Sequence, residues 1–429
     1  MLRKKTLVSA FLAAAITTMA VNAGTSINVV IQQDPNTISW LKEVVKEYQG
    51  KYPNNKVNLN IIGGTQADYY TKTSLMTKSG NSIDVIYEDS FMLKGDVNAG
   101  VISPIDVSTY NEWNNFYPSV RDSATINGKV YGIPMSTDTR GLYYNVNLFK
   151  KAGIETPWQP KNWNDILDAA RKIKTKLPGV IPFTFNIAAN GEATAMQTLE
   201  MLLYGTYDTL YKDGKWVVKS PGFLNSLKFI DTVFKEGLAP ELSKLMNPQY
   251  GNMMPVEWAP KNKVAIILDG CWIMGNWKGK HESTLENYKF AAMPTEFGQK
   301  PGFTSMSGGW LFSINAQSQH KEASFDFIKF ALNKENELKY TLSTNNLSTR
   351  QDVAEMKEYP DYLKAATSFI EFTHFRPANE QYSVFSPYIQ TAVESVAIGQ
   401  ATPEQAMDTY AKNVKRVVGE SFITEISNN

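Results

Sequence analysis

Between Ile27 and Tyr87 the chain alternates three short apolar runs with two stretches of helical spacing, and this alternation restricts the fold more than any other feature. Ile27-Asn28-Val29-Val30-Ile31 reads as a strand. Asp34-Pro35-Asn36-Thr37 then supplies turn and cap chemistry before Trp40, Leu41, Val44, Val45 and Tyr48, whose spacing marks one apolar helical face. A second strand is expected at Val57, Leu59 and Ile61, ending at Gly63-Gly64. A helix over residues 69–76 and a third strand at Asp84-Val85-Ile86-Tyr87 complete the series. Strands separated by helices predict an α/β domain with a largely parallel sheet. Ligands of such sheets gather at the carboxyl ends of the strands, where Gln32, Gln33, Gly64, Thr65, Glu88 and Asp89 fall.

The start of the chain suggests its compartment. Arg3, Lys4 and Lys5 precede an apolar run over residues 7–16, which passes through small residues to Ala23, the pattern of a cleaved export signal over residues 1–23. That run is too short for a mature anchor, and no later stretch reaches roughly 20 uninterrupted apolar residues, so a soluble periplasmic protein is expected. The single cysteine, Cys271, lies far from the leader, so no lipid anchor is expected. It can form no intramolecular disulfide and reads as a small buried apolar residue. The chain has 429 residues, enough for two domains that bury ample core. Taking the leader's three basic residues from the formal charge of +1 leaves −2, which gives no basic field for nucleic acid.

A second domain begins to be legible after residue 128. Residues 128–134 read as a hairpin followed by a strand that is extended before Pro134. Asp138-Thr139-Arg140 is a polar patch joined to another strand, and residues 148–153 form a short helix stopped by Gly153. Pro157, Pro160 and Asn162 introduce a helix carrying Trp163, Ile166, Leu167, Ala170 and Ile173. Residues 211–216 read as a surface hairpin, and residues 403–418, with Ala406, Tyr410, Val414 and Val417, as a final packing helix.

Taken in order and spacing, residues 131–134 with 138–149, the helix opening at Asn162-Trp163, the run from Val264 through Asp269-Gly270-Cys271-Trp272, and Gly308-Gly309-Trp310 before a strand carry a resemblance. The chain resembles the extracellular solute-binding proteins of carbohydrate ABC importers, the family that includes maltose-binding protein. The resemblance covers essentially the whole mature chain. It implies two α/β lobes joined by a multi-strand hinge, in a periplasmic-binding-protein fold. On this sequence the first lobe maps to residues 24–134 plus 311–358, and the second to residues 135–310 plus 359–429. It further implies a monomer without cofactor that closes on a neutral mono-, di- or oligosaccharide, a di- or short oligosaccharide foremost. Such a receptor then docks on membrane permease subunits.

The expected site follows from sugar chemistry. A pyranose presents a C–H face that lies against Trp or Tyr, while its hydroxyls need placed donors and acceptors, best when charged. Trp272 stands where the family often has Gly-Pro-Trp, here with Cys271 in place of the proline. Trp310 follows two glycines, and both tryptophans have an alternative as packing aromatics. Asp89 is the expected strand-end acid, with Glu88 as the alternative register. Asp138 and Arg140 either touch ligand or pair with each other. Gln33 and Thr65 sit at strand ends, and Trp40 near a helix start is a candidate whose spacing also fits the core. Further candidates are Asn186 and Glu192 in the loop before a helix carrying Met196 and Leu199, Trp258 at a cleft or core edge, and Arg376 and Tyr382 before a helix beginning near Pro387. The competing class is an exported glycoside hydrolase or lyase, which needs two carboxyls correctly set across a glycosidic bond. No nucleophile elbow, phosphate loop or zinc helix is apparent, and His281, His320 and His374 are isolated, so neither catalysis nor a metal is expected.

Overall fold

Asp34 starts the first helix as its position in the sequence predicts: its carboxylate accepts from the Thr37 N–H at 2.7 Å, and Pro35–Lys51 then buries Trp40, Leu41, Val44, Val45 and Tyr48. This computed structural model describes residues 24–427 apart from 65, 80, 81, 248 and 378. The export leader and Thr65 therefore lie outside the described residues. Among those described, no helix is long and apolar enough to cross a membrane.

The helix covers a sheet in which Lys56–Ile62, Ser26–Gln32 and Val85–Asp89 run parallel in that spatial order. Trp310–Asn315 returns antiparallel beside Val85–Asp89, and Ile102–Ser103 and Ile133–Ser136 both pair with it. The core of this lobe runs from Ile27 to Met135 and then takes Leu311 to Tyr340.

A second sheet has the order Tyr288–Ala291, Arg140–Asn145, Val264–Gly270, Ile181–Thr184. Every residue of Val264–Gly270 is buried, as a strand covered on both faces must be. Its covering helices include Trp163–Lys176, capped by the Asn162 side chain, while Pro403–Val418, opened by a reciprocal Thr402–Gln405 capping box, packs farther out against the helix Tyr382–Ala397. The core here spans Leu142 to Met306 and adds Tyr382 to Val414. The fold is thus a mixed α/β architecture of two lobes, each assembled from discontinuous sequence. A third small cluster joins Val120, Cys271, Leu347, Tyr359, Leu363 and Ile370.

Two local expectations are corrected. The hairpin expected over residues 211–216 forms, Tyr211–Lys212 pairing antiparallel with Lys215–Lys219, but its second strand is not confined to the surface: it also pairs with Ile423–Glu425 at the far end of the chain and buries Trp216 to 1% exposure. The helix expected near Pro387 opens at Tyr382, with Pro387 inside it. The passages between lobes lie side by side: Phe303–Ser307 pairs with Thr373–Phe375, and the Ser307 hydroxyl meets the Thr137 hydroxyl at 3.1 Å and accepts from the Asp138 N–H at 3.2 Å.

Candidate functional site

The strand ends of both sheets open onto one cleft of about 810 Å³. Strand pairing explains how its first-lobe wall arises. Trp310 lies opposite Asp89 on one side and Ser136 on the other, so the first residue of the return strand meets the last residue of its neighbour. The Trp310 ring stacks on Tyr87 with centroids 4.2 Å apart and planes at 4°, while the indole stays half-buried along the cleft.

Asp89 is almost fully buried yet well supplied with donors. Arg376 Nη2 donates to Oδ1 at 2.5 Å, and the Tyr70 hydroxyl and Gln66 Nε2 donate to Oδ2 at 2.8 and 3.2 Å. Burial pushes the Asp89 carboxyl up from its ordinary value, and the Arg376 charge and the Tyr70 hydrogen bond oppose this. Burial would pull Arg376 down, but Asp89 and Glu192 more than offset it and hold the guanidinium above its usual value. The same guanidinium lies 4.1 Å over the Phe91 ring, and its Nη1 stands 3.8 Å from Glu192.

The opposite wall is built on the end of Val264–Gly270. Trp272 folds back over Gly270 so closely that a Cβ there would fall 2.0 Å from the indole Cζ3. Arg140 stacks on its ring at 5.1 Å. Cys271, in place of the family's proline, uses its N–H to bond the Thr139 carbonyl at 3.0 Å, a bond proline would lack. Asp138 and Arg140 approach to 3.1 Å, an ion-pair distance, but the atoms concerned are not aligned for a hydrogen bond. The other Asp138 oxygen accepts from the Gly308 N–H at 3.1 Å. Gly308 lies beside both arginines: a Cβ there would stand 3.4 Å from Arg140 Nη2 and 3.6 Å from Arg376 Nη2, in ordinary contact with each.

Of the residues singled out in the sequence, Trp272, Trp310, Asp89, Arg140, Asp138, Gln33, Glu192 and Arg376 line this cleft. Tyr382 stands behind the wall, fully buried, its hydroxyl reaching Glu200 at 2.5 Å and Glu192 at 3.2 Å. Three expectations are corrected by packing. Trp40 is a core residue whose Nε1 donates to the Asn336 carbonyl at 2.8 Å. Trp258 is buried against Tyr250 in the second-lobe core. Glu88 points to the far side of its strand, into a separate cavity of about 50 Å³ shared with Tyr69 and Asp96, because successive strand residues face opposite ways. Asn186 does not line the cleft either; its carbonyl accepts from the Thr198 hydroxyl at 2.6 Å. Residues the sequence did not single out also line it: Gln66, Gln197, Asn276, Lys280 and Asn346. The signal was weak for each: Gln66 and Gln197 sit in helices, Asn276 and Lys280 in a short helical segment and the turn after it, and Asn346 in the connection that follows Lys334–Thr344. Among the described residues, no group of three or more His, Cys, Asp and Glu is placed to hold a metal ion.

This two-lobed arrangement has known counterparts. The sequence profile for bacterial extracellular solute-binding proteins matches residues 34–338. The chain belongs to that family. Among its curated relatives, the arabinooligosaccharide-binding protein of Bacillus subtilis is 23% identical over 400 residues, covering 87% of this chain and 88% of its own. Among solved structures of these solute-binding proteins, maltose-bound MalE3 of T. maritima superposes with a TM-score of 0.79 at 20% identity, covering 92% of this chain and all of the other. An ABC transporter solute-binding protein of Thermotoga lettingae bound to α-D-tagatose gives 0.77 at 25% identity, with the same coverage. Membership assigns this chain an extracytoplasmic solute-binding role.

Proposed function

We propose that the protein is a periplasmic receptor that closes two lobes on a neutral di- or oligosaccharide and delivers it to the permease subunits of an ABC importer. In this reading it acts as a monomer without a cofactor, exported by its first 23 residues. The moving bodies are residues 24–134 plus 311–358 and residues 135–310 plus 359–429. The observation that carries the reading is a cleft with an indole on each wall and with its buried charges neutralised inside the protein. Trp310 and Trp272 offer flat apolar faces for sugar C–H groups. Asp89 pairs with Arg376 and Asp138 with Arg140, so the ligand need bring no charge of its own. The cleft volume of about 810 Å³ lies in the range of small-molecule sites, roughly 300–1,000 Å³.

The relatives point the same way, one named for arabinooligosaccharides and two solved with maltose and α-D-tagatose bound. Binding is favoured over hydrolysis because Asp89 and Asp138 are each held by an arginine, and Glu192 takes hydrogen bonds from Ser386 and Tyr382. A glycosidase needs a carboxyl free to donate its proton to the leaving oxygen. The test is calorimetry against maltose, maltotriose, arabinotriose, mannobiose and cellobiose, alongside amino acids, dipeptides and polyamines. One saturable signal from a sugar, with the sugar recovered intact, is expected. Binding confined to amino acids, peptides or polyamines refutes the reading, and release of hydrolysed sugar moves it to the enzyme class.

A further inference from the structure

The second-lobe wall contains a helical segment wound unusually wide. Thr194–Glu200 is a π-helix, buried at every position, and such segments occur mainly as single turns near functional sites. The wide turn sends Met196 and Gln197 to the cleft wall, while Glu200 lies behind it on the Tyr382 hydroxyl. Gln197 is 7% exposed, and its amide Oε1 is buried without any hydrogen-bond partner. Buried side-chain oxygens are nearly always satisfied, so an orphan in a ligand cleft calls for a partner from outside the protein. Arg140, on the same cleft, has its Nε and Nη1 likewise buried and without hydrogen bonds.

We propose that Gln197 is a specificity-determining residue of the cleft, accepting a hydrogen bond from a ligand hydroxyl while Arg140 donates to one. The inference rests on the carbohydrate reading above and deepens it. A hydroxyl both donates and accepts, which an ether, a methyl or a carboxylate does not. The amide acceptor and guanidinium donor therefore select a polyol surface and disfavour deoxy analogues at the position they touch. An amide oxygen left unpaired when a ligand arrives costs roughly ten- to a hundredfold in binding.

The test uses Gln197→Met, which keeps the length of the side chain and removes both polar atoms. An orphaned acceptor does nothing for the unliganded fold, so this variant should unfold at an unchanged or higher temperature than the parent. Its affinity for whichever of maltose, maltotriose, arabinotriose, mannobiose or cellobiose titrates the parent should fall ten- to a hundredfold. Gln197→Leu should show the same opposed pattern. An affinity within twofold of the parent overturns the inference. So does a marked fall in unfolding temperature or loss of cooperative unfolding, because the amide would then be serving the π-helix, for instance by accepting a proton held on Glu200. If none of these sugars titrates the parent, the carbohydrate reading falls and takes this inference with it. A parent that binds beside an unimpaired Gln197→Met removes the inference alone.

Discussion

Replacing Arg376 by methionine isolates the charge at the centre of the cleft, since the long apolar stem is kept and only the guanidinium is lost. Arg376 and Asp89 are 3% and 2% exposed, and their contact of 2.5 Å joins a first-lobe strand end to the residue just after Thr373–Phe375, the strand that pairs with Phe303–Ser307. Breaking a buried ion pair by removing one partner costs about 3–5 kcal/mol. Asp89 would keep its bonds from Tyr70 and Gln66, so the lower end, about 3 kcal/mol at pH 7.5, is expected. The carboxylate also has an escape. Burial already pushes Asp89 up, and without the arginine that opposes this, its folded value moves further above the unfolded one. A carboxyl raised by folding contributes stability at low pH that is lost as pH rises. Each pH unit over which the folded form holds a proton that the unfolded form has released is worth about 1.4 kcal/mol. Glu200, which the Arg376 charge also lowers, moves in the same direction. The deficit of the variant should therefore shrink by roughly 1–3 kcal/mol between pH 7.5 and pH 5.5, read from paired urea unfolding curves at both values. A deficit below about 1 kcal/mol at pH 7.5, or one that does not change with pH, would mean that the Arg376 charge does not hold Asp89 ionised.

The parent protein has its own pH signature. Burial raises Glu200, Asp269 and Glu337 to about 7, so what these three contribute to stability is fully present below the unfolded carboxyl range and is lost as pH climbs through 7. The urea midpoint should be lower at pH 8 than at pH 5.5, and a midpoint that rises over that window contradicts it. Trp310→Ala and Trp272→Ala should each weaken sugar binding by about 2 kcal/mol in calorimetry, as loss of an aromatic anchor does, while leaving unfolding cooperative. Gly270→Ala should imitate Trp272→Ala, since the added Cβ occupies the place of the indole edge; full affinity in that variant would mean that Trp272 is not a platform. Small-angle scattering should record compaction at saturating sugar if the lobes close, and identical profiles would argue against closure.

Much of the first lobe was legible because local chemistry and tertiary packing agree there. Asp34 caps, Pro35 starts the helix, and Trp40 through Tyr48 bury the face that the spacing marks out. The resemblance assigned the strand after Trp310 to the first lobe, but its insertion between Val85–Asp89 and Ile102–Ser103 was not legible, because an antiparallel pairing more than two hundred residues apart leaves no periodic trace. The burial of Trp216 escaped for the same reason, its partner strand being Ile423–Glu425.

The cleft divides along similar lines. Asp89 was found because the carboxyl ends of parallel strands are where such sheets expose side chains, whereas Trp272, and Arg140 and Trp310, which open antiparallel strands, came from the resemblance. The choice between Glu88 and Asp89 was open in sequence, since alternation says only that they face opposite ways, and the sheet's neighbours decide which way. Trp40 had two readings, and its helical spacing was the better guide than its nearness to the strand end. Gln197 was hidden inside a run that reads as an ordinary helix with Met196 and Leu199 on its apolar face. A π-helical turn changes which residues share a face, and sequence periodicity carries no sign of it.

The proposed function requires that a sugar be held between Trp310 and Trp272, bounded by Asp89, Arg140 and Arg376. The most direct measurement is a crystal structure of protein purified without refolding and grown with the sugar that titrates it. Saccharide density is expected between the two lobes, with a pyranose face against at least one of the two indoles. Density in the cleft that touches neither Trp272 nor Trp310, or an amino acid or peptide in its place, would contradict it.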